Sequence, residues 1–141
     1  MDDDRMMPQA PARAGHVFVY GTLRRGGSND INRYEPAPTF VGTAAISGRM
    51  FHLGAYPGVR LVGTGLVVGE VYRIDAELER QLDLLEGIEE DGSGEYVKRW
   101  LDVEVKTVAA AITQRCLVYE IDPAHIADRA EIESGDWLLG I

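Results

Sequence analysis

Val17-Phe18-Val19-Tyr20-Gly21-Thr22-Leu23-Arg24-Arg25-Gly26-Gly27 is an apolar run that stops at a Gly-Thr turn and passes into a polar, glycine-rich loop. A short apolar run bounded by turn residues reads as a buried strand. The loop behind it offers successive backbone N–H groups at one spot, a concavity suited to a small anion or a developing oxyanion. Glycine-bearing turns also close many ordinary strands. The stretch gains weight from a second segment further along, Leu82-Asp83-Leu84-Leu85-Glu86-Gly87, in which a carboxylate ends a helix.

That helix follows a strand. Leu66 to Ile74 alternates, with Leu66, Val68, Tyr72 and Ile74 on one face and Glu70 among them. Asp75 is an N-cap residue for a helix over about 76–86, and Gly87 suits the C′ position. Leu78, Leu82 and Leu85 recur at i, i+4 and i+7, a stripe that docks on a sheet. Further strands flank this unit. Thr39 to Leu53 reads as a hairpin broken at Ser47-Gly48, and Tyr56-Pro57-Gly58 marks a turn. Glu95 to Val108 is a long strand in which Val97, Leu101, Val103 and Val105 alternate with polar positions. A turn near Ala109-Ala110 leads into a strand over about 113–121. The stretch around Ser28-Asn29-Asp30-Ile31-Asn32 can cap a short helix that Pro36 closes, and Ile132-Glu133-Ser134-Gly135-Asp136-Trp137 reads as a short turn or helical piece packing by Trp137. Many strands with one main helix, and no strand–helix repeat, predict an α+β fold: a small mixed, mostly antiparallel β-barrel with one main helix packed across it.

The 141 residues suit one domain, and 45% hydrophobic with 26% charged residues is an ordinary globular composition. Residues 1–14 lack periodicity and read as a disordered N-terminal leader, leaving 15–141 as the domain. A net charge of −9 and the lack of any basic run argue against nucleic-acid binding. No apolar stretch reaches the ~18 residues of a membrane span. The acidic start Met1-Asp2-Asp3-Asp4 lacks a secretory plan, so a cytoplasmic protein is expected. The sequence sets no oligomeric state. Cys116 lies in an apolar strand and reads as a core residue. His16, His52 and His125 are widely separated and, with a single cysteine, give no metal-ligand spacing. Rossmann, P-loop and Gly-x-Ser-x-Gly patterns are absent.

Among candidates for chemistry, Glu86 lies about 40° around the helix from Leu82, at the edge of the apolar stripe. It occupies the last turn, where the helix dipole disfavours a carboxylate, and partial burial adds to this. Both effects raise its pKa, as a proton-shuttling acid/base requires. Position alone favours the commonplace reading, an exposed Glu ahead of a capping Gly. Glu70 reads first as half of a structural ion pair, with Arg99 on the next long strand as its partner. Tyr20, Tyr96 and Tyr119 can pack in the core or line a pocket beside the Gly-Thr turn.

The order of Tyr20-Gly21-Thr22-Leu23-Arg24, Tyr56-Pro57-Gly58, Gly69-Glu70-Val71-Tyr72, Leu82-Asp83-x-x-Glu86-Gly87, Tyr96-x-x-Arg99, Val118-Tyr119 and Ser134-Gly135-Asp136-Trp137 resembles the gamma-glutamylcyclotransferase-like superfamily, including its AIG2-like and gamma-glutamylamine cyclotransferase branches. The resemblance spans residues 16–137. It implies a pocket between the first loop and the helix-end Glu, with Tyr20, Gly21, Thr22, Leu23 and Tyr119 binding substrate and Glu86 as general acid/base. The implied activity is that of a gamma-glutamylcyclotransferase, a lyase or acyltransferase acting on a small gamma-glutamyl molecule without metal or organic cofactor. The alternative is a non-catalytic small-molecule binding or interaction module that keeps the same pocket. Glu89-Glu90-Asp91-Gly92-Ser93-Gly94 departs from compact members by a longer, more acidic connection ahead of Tyr96, which bears on the pocket rim.

Overall fold

The computed structural model describes residues 15–139; the expected leader over 1–14 lies outside the described residues. Eight strands and one α-helix follow in chain order: β1 (Gly15–Val19), β2 (Thr39–Ser47), β3 (Arg49–His52), β4 (Pro57–Arg60), β5 (Leu66–Ile74), α1 (Ala76–Leu85), β6 (Tyr96–Lys106), β7 (Ala111–Ile121) and β8 (Glu131–Ile132). Five of them close a barrel in the order β1-β5-β2-β6-β7. All neighbours in it are antiparallel except β1 and β7, whose parallel pairing at Val17 and Leu117 closes the ring. The expected mixed, mostly antiparallel barrel with one helix across it is what forms.

Two faces of the same strands serve two cores. Phe18, Val71, Cys116 and Val118 point into the barrel with Val67, Val103 and Val105. Their neighbours Val17, Val19, Tyr72, Leu117 and Tyr119 face outward and pack against Leu78 and Leu82 of α1. Burial on both sides explains why β1 and the end of β7 read as continuous apolar runs rather than alternating ones. Cys116 is a core residue, its thiol pushed up to about 12 by burial and the charge of Asp102.

The helix obeys its local signals. The Asp75 side chain accepts from Leu78 N–H at 2.9 Å, closing the N-terminus. At the other end Gly87 adopts φ 66°, and two bonds close the cap: Gly87 N–H to Leu84 O at 3.3 Å and Ile88 N–H to Asp83 O at 3.0 Å. Leu78 and Leu82 are buried, whereas Leu85 is 43% exposed and does not complete the stripe.

Two expectations are corrected. β2 and β3 do not form a hairpin: β2 lies between β5 and β6 in the barrel, while β3 belongs to a separate antiparallel sheet ordered β4-β3-β8. Gly48 is where the chain changes sheets, its N–H donating to Gly65 O at 2.9 Å. Nor do Glu70 and Arg99 pair. β5 and β6 are not neighbours, so Arg99 reaches across to Glu120 of β7 at 3.0 Å, and Glu70 takes Arg24 instead at 2.7 Å. The expected short helix after the first loop is a 3-10 turn, Ile31–Arg33, capped by Asp30. The tail also forms a 3-10 turn, Trp137–Leu139, with Trp137 packed on the barrel cluster as expected and 5.5 Å from His52 between ring centres.

Candidate active site

β1 ends at Val19, and the chain then turns over the end of the barrel. Arg24 N–H donates to Gly21 O at 3.0 Å, Asn29 N–H to Thr22 O at 2.9 Å and Ile31 N–H to Leu23 O at 2.9 Å, so the loop carbonyls are tied inward. Among the described residues, the N–H groups of Gly21, Thr22 and Leu23 donate to no protein acceptor. Three successive donors in a largely buried turn are thus left without a protein partner, the condition an anion-binding turn would need. Gly21 is required there, since a Cβ would stand 2.7 Å from the Pro57 ring.

This turn forms one wall of a cavity of about 240 Å³. Tyr20, Gly21, Thr22, Leu23, Glu86 and Tyr119 all line it, so the structure brings every sequence-predicted site residue to one place. Leu85 and Glu86 enter from the end of α1, Tyr56 and Pro57 from the start of β4, and Glu95 and Tyr96 from the start of β6.

Glu86 is the cap residue of α1, its backbone N–H bonded to Leu82 O at 2.9 Å. The cap aims its side chain into the cavity. Burial, followed by the charge of Glu95, raises its pKa from 4.5 to about 7. Among the described residues, no ion pair or side-chain hydrogen bond reaches its carboxyl group. The surrounding tyrosines are committed elsewhere. Tyr20 OH donates to Tyr119 O at 2.7 Å, Tyr96 OH to Pro57 O at 2.7 Å and Tyr119 OH to Asp83 Oδ1 at 2.7 Å, while Tyr56 OH donates to Glu95. Burial raises the pKa of the Tyr20, Tyr96 and Tyr119 hydroxyls and the charge of Glu86 adds to it, so all three keep their protons. With those protons spent on the protein, the hydroxyl oxygens are left to act toward a bound molecule as acceptors. Two carboxylates, four tyrosines and the Gly21–Leu23 turn line the same cavity, with no Lys, Arg or His side chain in the lining. Among the described residues there is no cluster of His, Cys, Asp or Glu able to hold a metal ion.

The family model for gamma-glutamyl cyclotransferase, AIG2-like, matches residues 17–139. The chain belongs to this family. The gamma-glutamylcyclotransferase family protein YtfP of Escherichia coli K12 is 32% identical over 123 residues, covering 86% of this chain and 95% of the relative. The solution structure of the Escherichia coli protein matches with a TM-score of 0.57 at 32% identity, covering 87% of this chain and 96% of that one. The crystal structure of an AIG2-like protein from mouse matches with a TM-score of 0.65 at 25% identity, covering 88% and 89%. Membership in the AIG2-like gamma-glutamyl cyclotransferases supports an activity of that general type on a small gamma-glutamyl molecule.

Two further lining residues of the cavity, Glu95 and Tyr56, carry no site signal of their own in the sequence. Glu95 sits at the close of the acidic 89–94 connection, where a further carboxylate reads as solvated surface. Only its place one residue before Tyr96, at the mouth of a strand, hints that it turns inward. No helix among the described residues is long and apolar enough to cross a membrane.

Proposed function

We propose that the protein is a gamma-glutamyl cyclotransferase in the strict chemical sense, converting a gamma-glutamyl amide into 5-oxoproline and a free amine or amino acid. The observation that supports this reading is that a carboxyl of raised pKa, Glu86, lines the same cavity of about 240 Å³ as three amides without a protein acceptor among the described residues. The substrate's own α-amine attacks its γ-carbonyl carbon. A C–N bond forms to close the five-membered ring, the amide C–N bond breaks, and the leaving nitrogen departs with a proton.

That amine arrives mainly as ammonium. The acceptors of the cavity, the Tyr20 and Tyr119 oxygens and Glu86, complement it, and Glu86 in its ionised form removes a proton. The same carboxyl returns that proton to the leaving nitrogen, and the second proton, shed by the ring nitrogen once the C–N bond has formed, passes to the released amine, which leaves as its ammonium form. A group poised near neutral pH serves both steps, and general acid–base catalysis of this kind is worth about 10²–10⁴-fold. The amides of Gly21, Thr22 and Leu23, free of protein acceptors, would hold negative charge, either the substrate carboxylate or the oxyanion that develops on the γ-carbonyl. Confinement folds the chain so that amine and carbonyl meet, drawing on the large advantage of oriented intramolecular reactions. A shallow hollow lined by Arg33, Tyr34, Glu35 and Gln81 shares Ser28 and Asn29 with the cavity, and a leaving group would have room to extend there.

The test is a panel of gamma-glutamyl amines, gamma-glutamyl dipeptides and glutathione, followed for 5-oxoproline release with Glu86→Gln run in parallel. Release by the wild type and its loss in the folded variant are expected. Full turnover by Glu86→Gln removes Glu86 from the mechanism, and binding of the panel without turnover favours a binding module.

A further inference from the structure

Arg24 directly follows the amide-bearing turn, yet its side chain points away from the cavity and is only 11% exposed. Its guanidinium bridges two acids from distant parts of the chain. Nε donates to Glu70 Oε2 of β5 at 2.7 Å, and Nη1 donates to Asp136 Oδ1 of the C-terminal segment at 2.8 Å. The second oxygen of Glu70 accepts the next backbone donor of the loop, Arg25 N–H, at 3.0 Å. Asp136 is held in turn, since Oδ1 also accepts from Leu138 N–H at 3.1 Å. Its neighbour Gly135 accepts from Val68 N–H of β5 at 2.8 Å, which seats the segment against the barrel wall.

We propose that Arg24, clamped between Glu70 and Asp136, is a positioning residue for the Gly21–Leu23 amides, which makes the C-terminal segment a working part of the active site. The inference rests on the reading of that turn as the anion-binding wall. A turn with three unpaired donors gains no rigidity from bonds made by those donors, so its shape must be imposed from outside. The inward carbonyl bonds hold its far side, and Arg24 holds its exit. Only an arginine serves, because its planar fork offers separate N–H groups to two carboxylates at fixed angles, whereas lysine presents a single point charge. The two acids are not equivalent. Glu70 is buried and satisfies a backbone donor as well, so its loss disturbs the fold; Asp136 is the partner whose removal leaves the Arg24–Glu70 pair intact. Amides that must meet a developing charge lose effect with small misplacement.

The experiment compares Asp136→Asn with Glu131→Gln in the full-length chain. Glu131 lies on β8 in the same C-terminal segment and bonds Arg49 at 2.8 Å on the surface, so Glu131→Gln loosens the segment's anchorage without touching Arg24. Asp136→Asn is expected to shift the ¹⁵N–¹H resonances of Gly21, Thr22 and Leu23 and to lower kcat/KM for 5-oxoproline release about tenfold or more, well below the melting temperature. Glu131→Gln is expected to leave both unchanged. The split between kcat and KM tells which charge the amides hold: a fall in kcat marks the oxyanion, a rise in KM the substrate carboxylate. Unmoved amide resonances, or moved resonances with unchanged kcat/KM, overturn the proposal, as does an equal effect from Glu131→Gln. Where Asp136→Asn is unfolded, Arg24→Lys, which keeps the charge beside Glu70 but cannot span both acids, is read against the same outcomes. The resonance comparison stands even if no gamma-glutamyl compound is turned over, so failure of the clamp and failure of the proposed reaction are told apart.

Discussion

Buried and half-buried carboxylates occur in two kinds of place among the described residues. Glu120 on β7, 5% exposed, accepts from Arg99 Nε at 3.0 Å, from Leu61 N–H at 2.9 Å and pairs with Arg60 at 3.1 Å. Glu70 on β5 is matched in the same way by Arg24 and by Arg25 N–H. Each charge withdrawn from water there meets a cation and a backbone donor, the arrangement that makes burial tolerable. Among the described residues Glu86 meets neither, and its near neighbour is a second acid, Glu95. Compensated acids hold strands and loops together; the uncompensated one faces a cavity and keeps its proton to near neutral pH. The contrast separates the carboxylates that build the barrel from the one proposed for proton transfer.

The largest expected effect falls on that uncompensated acid. Glu86→Gln should lower the rate of 5-oxoproline release by about 10²–10⁴-fold while thermal unfolding stays the same or moves up, because a neutral amide removes a charge the site does not satisfy. A variant that loses activity only in step with unfolding would place Glu86 with the structural acids. Next comes the pH dependence of stability. The unfolded chain releases this proton around 4.5 and the folded protein around 7. Below 4.5 both states carry it; between those values only the unfolded chain ionises. Stability contributed by this group therefore declines as pH rises through that window, by up to about 3 kcal/mol, and is flat above it. Urea unfolding across the window should reveal the decline in the wild type and lose it in Glu86→Gln.

The compensated kind behaves in the opposite way. Glu120→Ala should destabilise the fold by about 1–3 kcal/mol, since it strands Arg60, Arg99 and the Leu61 N–H, yet activity per folded molecule should persist. Chemical denaturation read beside kcat tests both halves, and an inactive but stable variant would blur the distinction. The smallest change concerns the neighbour. Glu95→Gln removes the negative charge that helps Glu86 hold its proton, so the acid limb of the kcat/KM profile should move to lower pH. An unmoved limb would leave burial alone responsible for the raised value.

Much of the frame was legible because its signals are local. Asp75 and Gly87 bracket α1 through bonds to residues three and four positions away, so the place of Glu86 at the helix end follows from spacing. The glycine-bearing stop after Tyr20 likewise marks the loop without knowledge of any partner strand. Partners were less accessible. Arg99 was the natural mate for Glu70 when strands were laid side by side in chain order, but the barrel sets β2 between β5 and β6 and hands Glu70 to Arg24. β3 looked like the return of a hairpin, because nothing around Gly48 announces a change of sheet. Glu95 carries no pattern of its own and acquires meaning only beside Glu86 and Tyr56.

By itself, the sequence determined the strand ending at the Gly-Thr turn, the capped helix with its terminal acid, and the barrel class, since hydrophobic period and capping act over a few residues. Tertiary structure alone decided that three bare amides, a raised-pKa carboxyl and a second acid share one cavity, and that Arg24 ties the loop to the C-terminal segment. Those juxtapositions depend on which strands become neighbours when the ring closes, a choice made by burying both faces of β1 and β7 at once and written in no single stretch of chain.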